Sequence, residues 1–198
     1  MLYRFFPHDP GAPPRAEGGS LFVPRALQGP GRHDAPEAYG ALYLGRRPVS
    51  VIAEFLKRYQ RQEVGPEDLW WAPGRPYALA ALDDSALPGL LDLDDPQNLV
   101  ARALRPSEVA TGRRKVTQGW ARALHAAGSS GFEWWSTIEA SWINVTVFAE
   151  RAAPKLAPAA EPEPLSTDHP AVIEAAEVVG VTLAPERPPG AAGSASRA

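Results

Sequence analysis

Prolines and glycines interrupt this chain so often that no regular element can run far. The 198 residues include 22 prolines and 17 glycines. Proline breaks helix interiors and sheet ladders, and glycine favours turns and caps. Short strands and short helices joined by many loops are therefore expected. A hydrophobic share of 44% against a charged share of 22% is that of a globular chain, long enough for one domain with a real core.

Periodicity and punctuation place the elements. Leu2 to Phe6 reads as a strand ended by Pro7, Ser20 to Val23 as a second and Ala41 to Leu44 as a third. Pro48 suits the first position of a helix, which Val49, Ile52, Ala53, Leu56 and Tyr59 carry to about residue 61. Two strands are expected around the Pro73-Gly74 turn, a strand end at Leu90 to Leu93, and a short helix from Asp95-Pro96 through Leu104. Val116, Trp120, Ala123 and Leu124 mark a firmer helix capped at Gly128, before strands Gly131 to Ser136 and Trp142 to Ala149. A last helix starts at Asp168-His169-Pro170 and ends at Gly180. Strands and helices mix without regular βαβ alternation, so the expected class is α+β. The expected organisation is a domain over 1–150, a Pro/Ala-rich linker or surface-draped chain over 151–164, a C-terminal helix within 165–183 and a disordered tail over 184–198.

Charge and composition narrow the function. The net charge is −3 with no long basic run, which argues against nucleic-acid binding by electrostatics. Without cysteine, disulfides and thiolate chemistry are excluded. No stretch approaches the roughly 18 apolar residues that span a bilayer, and the N-terminus lacks a signal-peptide core, so a cytoplasmic protein without membrane contact is expected. His8, His33, His125 and His169 lack metal-ligand spacing, so no metal is expected, and Asp92, Asp94 and Asp95 read as a turn and helix cap.

Three polar residues stand out. Arg32, Tyr43 and Glu54 recur at intervals of eleven residues, after a Gly-Pro-Gly turn, in an apolar strand and in a helix respectively. Glu54 reads as lying on the Val49/Ile52/Ala53/Leu56 side, where a carboxylate is costly unless compensated. The plainer alternative rotates the helix to expose it beside Lys57 or Arg58. Taken singly, Arg4 is most simply an edge cation, Tyr43 a core tyrosine and Ser136 uninformative.

Together the residues resemble a family. Gly31-Arg32-His33-Asp34, Tyr43-Leu44 and Ala53-Glu54, then Thr117-Gln118, Gly128 to Gly131 and Phe132-Glu133-Trp134-Trp135-Ser136, resemble the RES domain from about Tyr3 to Phe148. The resemblance implies a fold like the ADP-ribosyltransferases, with a split mixed or antiparallel sheet and flanking helices. It also implies NAD degradation by hydrolysis or phosphorolysis, in a toxin paired with an Xre-type antitoxin. NAD would be substrate, inorganic phosphate a possible co-substrate, and no cofactor is implied. Carried over by position, the site is Glu54, Arg32 and Tyr43 for catalysis, with Arg4, Arg32, Tyr43 and Ser136 binding substrate. One departure is visible: His33-Asp34 stands where the family commonly has Trp or Phe and Asn. Two other classes remain open, an ADP-ribosyltransferase acting on a macromolecule and a non-catalytic module binding a ligand or antitoxin. Oligomeric state is left open too.

Overall fold

The structure is a computed structural model describing residues 1–186; residues 187–198, most of the expected tail, lie outside the described residues. In chain order the elements are β1 (Leu2–Pro7), β2 (Ala41–Gly45), α1 (Pro48–Leu56), β3 (Glu63–Val64), β4 (Trp70–Ala72), β5 (Arg75–Asp83) and β6 (Leu91–Asp92). There follow α2 (Pro96–Ala101), α3 (Pro106–Val109), α4 (Arg114–Ala126), β7 (Gly131–Trp135), β8 (Ile143–Phe148) and α5 (Ala149–Ala152). The chain continues through β9 (Ala157–Pro158), β10 (Glu163–Pro164), α6 (Pro170–Val179) and β11 (Thr182–Leu183).

The main sheet runs β10-β5-β1-β2-β8-β7-β6, with β4 and β9 also pairing with β5. Only β6 and β7 pair in parallel within it, so this is the expected α+β class with a large mixed sheet. Tyr3 lies opposite Gly45, which puts Tyr3 and Phe5 on the same face as Tyr43 and Ala41. That face carries two separate cores. One joins α1 to α6 through Ile52, Ala53, Leu56, Val172, Ala175 and Ala176; the other packs Trp120, Ala121 and Leu124 of α4 on Phe132 and Phe148. The opposite face is continuous, with Leu2, Phe6, Leu42, Leu44, Val145 and Val147 beneath Leu21, Ala152 and Leu156.

Some expectations need correcting. Ser20 to Val23 forms turns and irregular chain, and the carbonyls of Ser20 and Phe22 are taken by the Arg4 guanidinium instead of a neighbouring strand. The first helix stops at Leu56 and tightens into a 3-10 turn over Lys57–Tyr59. Of the two readings of residues 151–164, the pairings follow the draped chain: β9 and β10 each add a two-residue pairing along β5. The final helix ends as expected, with Gly180 in the left-handed region at φ 70°.

Candidate active site

A cleft opens where β1 and β2 part. Their ladder holds a single register position, Tyr3 opposite Gly45. Beyond it the Gln28 amide stands in for a strand, donating to the Ala41 carbonyl at 2.5 Å and accepting from the Ala41 N–H at 2.9 Å. The edge of β2 is thus satisfied without closing the gap. The resulting cavity is about 470 Å³, with Phe5, Arg32, Tyr43, Glu54, Arg58 and Arg114 among its walls. That volume suits a small-molecule site.

Helix α1 supplies one wall. Pro48 occupies its first turn, and Val49, Ile52, Ala53 and Leu56 are buried. Val51, Glu54, Phe55 and Arg58 form the stripe that lines the cleft. Glu54 is exposed, not sunk among the apolar side chains. Successive helical residues turn by about 100°, so the residue after buried Ala53 swings away from the core. The compensation lies elsewhere: its Oε1 accepts from Asn144 Nδ2 at 3.2 Å and from Ser136 Oγ at 3.3 Å. Ser136 Oγ accepts the Ile138 N–H at 3.1 Å, which leaves its own proton for Glu54. Both donors are buried, so they hold one carboxylate oxygen in place. Among the described residues Oε2 accepts no hydrogen bond.

The 28–34 loop supplies the opposite wall, organised by Asp34. Its Oδ2 accepts the N–H groups of Gly29 and Gly31 at 2.8 and 2.7 Å, and its Oδ1 accepts the Tyr43 hydroxyl at 2.7 Å. Gly31 is required here, because a Cβ would lie 2.5 Å from the Asp34 carboxylate oxygens. From α4, Gln118 Nε2 donates to the carbonyls of Gly29 and Gly31 at 2.9 Å each, and the Thr117 hydroxyl donates to the Arg32 carbonyl. Tyr43 Oη in turn accepts the His33 N–H at 2.9 Å. Burial first, then the bond to Asp34, raises the Tyr43 pKa above the ordinary phenol range, so the hydroxyl stays neutral.

Arg32 projects from this loop. Its guanidinium donates to the Thr111 carbonyl at 2.5 Å and lies 5.1 Å from the Trp134 ring centroid. Burial and then Arg114 lower its pKa, while Glu54 and Tyr43 oppose that shift. His33 is fully buried among Tyr43, Trp120, Phe132 and Trp134. Its Nδ1 bonds Thr146 Oγ1 at 2.9 Å, and its Nε2 has no partner. Burial, then Arg32 and Arg114, hold its pKa well below the usual imidazole value. A neutral imidazole thus fills the aromatic place beneath the loop.

Four of the five expected residues meet around the cleft: Arg32, Tyr43, Glu54 and, through Glu54, Ser136. Arg4 does not. Alternate strand residues point to opposite faces, so with Phe5 in the cleft Arg4 lies behind the sheet. There it donates to the Ser20 and Phe22 carbonyls at 2.6 and 2.7 Å, and burial lowers its pKa to about 10. Its work is to tie down the 8–24 loop. Sequence reasoning missed Asn144, Arg58 and the Phe5/Tyr77 pair; Arg114 belongs to the basic cluster Arg113-Arg114-Lys115, which by sequence is most simply a solvated loop, with phosphate contact as the alternative. Asn144 could have been found as a polar residue at an inward position of the Trp142–Phe148 alternation, and Arg58 from its four-residue spacing to Glu54. With three guanidiniums and one carboxylate, the cleft is cationic in a chain of net charge −3.

The sequence matches the RES domain model over residues 1–168. The chain belongs to the RES domain family. The matched residues run through 151–164 and end just before α6. Its fold is similar to MbcT in the crystal structure of the M. tuberculosis MbcT–MbcA toxin–antitoxin complex. That match has a TM-score of 0.60 and 19% identity, over 89% of this chain and 87% of that chain. No curated protein matches the sequence. Among the described residues no helix is long and apolar enough to cross a membrane.

Proposed function

We propose that this RES domain cleaves the nicotinamide–ribose bond of NAD. The observation that carries the reading is a single carboxylate, Glu54, pinned through one oxygen in a cleft whose other charged lining groups are the guanidiniums of Arg32, Arg58 and Arg114. Bond cleavage leaves positive charge on the ribosyl carbon, and nicotinamide departs neutral, so no general acid is needed. A carboxylate oriented before the reaction stabilises that developing cation more than the ground state. With Oε1 occupied by Asn144 and Ser136, Oε2 is the oxygen that faces the substrate.

Arg32, Arg58 and Arg114 supply the counter-charge for the diphosphate, a role that passes from Arg4 to the cations in the cleft. Tyr43 offers its ring, because its hydroxyl is used inside the protein. Ser136 acts through Glu54. The attacking oxygen comes from water, giving ADP-ribose, nicotinamide and a proton, or from inorganic phosphate, giving ADP-ribose 1″-phosphate and nicotinamide. The family and the likeness to MbcT support a toxin whose partner is a protein antitoxin of the Xre type.

The purified protein incubated with NAD, with and without phosphate, tests this by product analysis. Stoichiometric nicotinamide release is expected, and the second product names the nucleophile. Intact NAD would exclude the reading, and radiolabel from NAD moving onto protein or nucleic acid would replace it with ADP-ribosyl transfer.

A further inference from the structure

We propose that α6 and β11 form a brace that sets the position of helix α1, with Ala176 as the positioning residue that keeps Glu54 against its donors. The kinetic part of the test rests on the NAD-cleaving reading; the brace itself rests on packing and hydrogen bonds. The matched RES residues end at 168, so both elements lie beyond them. Even so, α6 is the most extensive neighbour of α1. Val172, Ala175, Ala176 and Val179 form its buried stripe at helical spacing, and they share one core with Val49, Ile52, Ala53 and Leu56 of α1.

The segment grips α1 at its start, along its length and past its end. Glu174 pairs with Arg47, the N-cap residue of α1, at 3.8 Å. Along the contact, buried Ala53, Ala175 and Ala176 are small enough to let the two helix backbones come close, so added volume there must push the helices apart. Past the 3-10 turn, the Arg61 N–H donates to the Gly180 carbonyl at 3.1 Å, a bond that fixes Arg61 in the left-handed region at φ 66°. The N–H groups of Thr182 and Ala184 then donate to the carbonyls of Gln62 and Val64 at 3.1 and 2.9 Å, in the parallel pairing of β11 with β3. Glu186 closes the segment on itself, its Oε1 accepting the Thr167 N–H at 2.8 Å and the Thr167 hydroxyl at 3.1 Å.

The grip matters because Glu54 and its donors stand on different elements. Glu54 follows buried Ala53 on α1, whereas Asn144 lies on β8 and Ser136 just after β7. Their bonds to Oε1, at 3.2 and 3.3 Å, are at the long end of the normal range, so an outward shift of α1 breaks them. A misplacement of about 1 Å at a reacting group can cost about a hundredfold in rate. Ala176 is buried and does not line the cleft. It acts on the reaction only by moving α1.

Two substitutions at Ala176 separate positioning from stability. Ala176→Val adds volume between the helices, and kcat for nicotinamide release is expected to fall at least about tenfold with KM for NAD within about threefold. Ala176→Gly also destabilises the helix but pushes nothing apart, so its kcat stays within about threefold of wild type. Where Ala176→Val does not fold, Ala176→Ser, which adds one atom, gives the same direction in smaller amount. In an Asn144→Ala background, where Oε1 has already lost a donor, Ala176→Val costs at least about threefold less in kcat than it does in the wild type. Proton–nitrogen correlation spectra read the contact without any reaction: the Asn144 side-chain amide shifts in Ala176→Val towards its position in Glu54→Ala, and stays in place in Ala176→Gly. Wild-type kcat in Ala176→Val, an equal fall in the valine and glycine variants, or an unmoved Asn144 amide overturns the brace even if NAD is cleaved. If the wild type leaves NAD intact while the Asn144 amide still responds to valine and not to glycine, the brace stands and the NAD-cleaving reading falls.

Discussion

Replacing Tyr43 by phenylalanine keeps the ring in the cleft and removes one oxygen whose two hydrogen bonds are both internal. The hydroxyl donates to Asp34 Oδ1 at 2.7 Å and accepts the His33 N–H at 2.9 Å. A hydrogen bond to a carboxylate contributes about 1.5–3 kcal/mol, and an orphaned, poorly solvated N–H costs about 1–3 kcal/mol. The two overlap, because the loop relaxes once, so a net loss of about 3 kcal/mol is expected. For a chain of this size that corresponds to a fall in Tm of about 6–12 °C. Urea and thermal unfolding read the loss directly, with an unchanged m-value showing that the unfolded reference is the same. Nicotinamide release at a temperature where both proteins are folded completes the comparison. If Tyr43→Phe matches wild-type stability within about 0.5 kcal/mol yet loses turnover at saturating NAD, the hydroxyl touches substrate and the loop-holding argument is wrong.

Three further outcomes follow from the same geometry. Asn144→Ala frees Glu54 Oε1 from one of its two donors, so kcat falls about 10- to 100-fold while KM stays within about threefold; steady-state kinetics with wild-type kcat would show that Asn144 does not position Glu54. Arg114→Gln, at the start of α4 on the cleft wall, raises KM for NAD about fivefold and lowers the salt sensitivity of kcat/KM; an unchanged salt response would remove Arg114 from the binding surface. His33 gives a pH test. Its folded pKa is held well below the unfolded value near 6.5, so the unfolded chain takes up a proton there while the folded chain does not. Its stability contribution is complete above about pH 6.5 and is lost as pH falls below it, at up to about 1.4 kcal/mol per pH unit. His125, lowered by burial and then by Arg151, acts with the same sign. His33→Phe should flatten the stability curve between pH 7 and 5 in chemical unfolding, and a curve parallel to wild type would contradict the buried neutral imidazole.

The sequence made most of the fold legible through two simple periods and their punctuation. Gly180 and Pro48 mark helix ends because their backbones suit few other places, and β8 shows as clean alternation. What stayed hidden depended on which way an element faces. A strand of six residues cannot say which of Arg4 and Phe5 points into a cleft until its partner's register is known. Glu54 is unusual for a reason local sequence does not carry: it is exposed, and its environment comes from Ser136 and Asn144, more than eighty residues away. Ser20 to Val23 has the composition of a strand but no neighbouring strand, because Arg4 takes its carbonyls. Local chemistry marks candidates, and long-range pairing decides among them.

The central claim is that the Glu54 carboxylate carries the reaction while the cleft around it binds NAD. Glu54→Gln keeps the shape of the side chain and removes its charge at an exposed position. Nicotinamide release by this variant is the decisive measurement, made alongside unfolding curves that match the wild type. A fall in kcat of about a thousandfold or more, with NAD still bound, is the predicted result. Turnover within about tenfold of wild type would mean that Glu54 is not the group that stabilises the ribosyl cation.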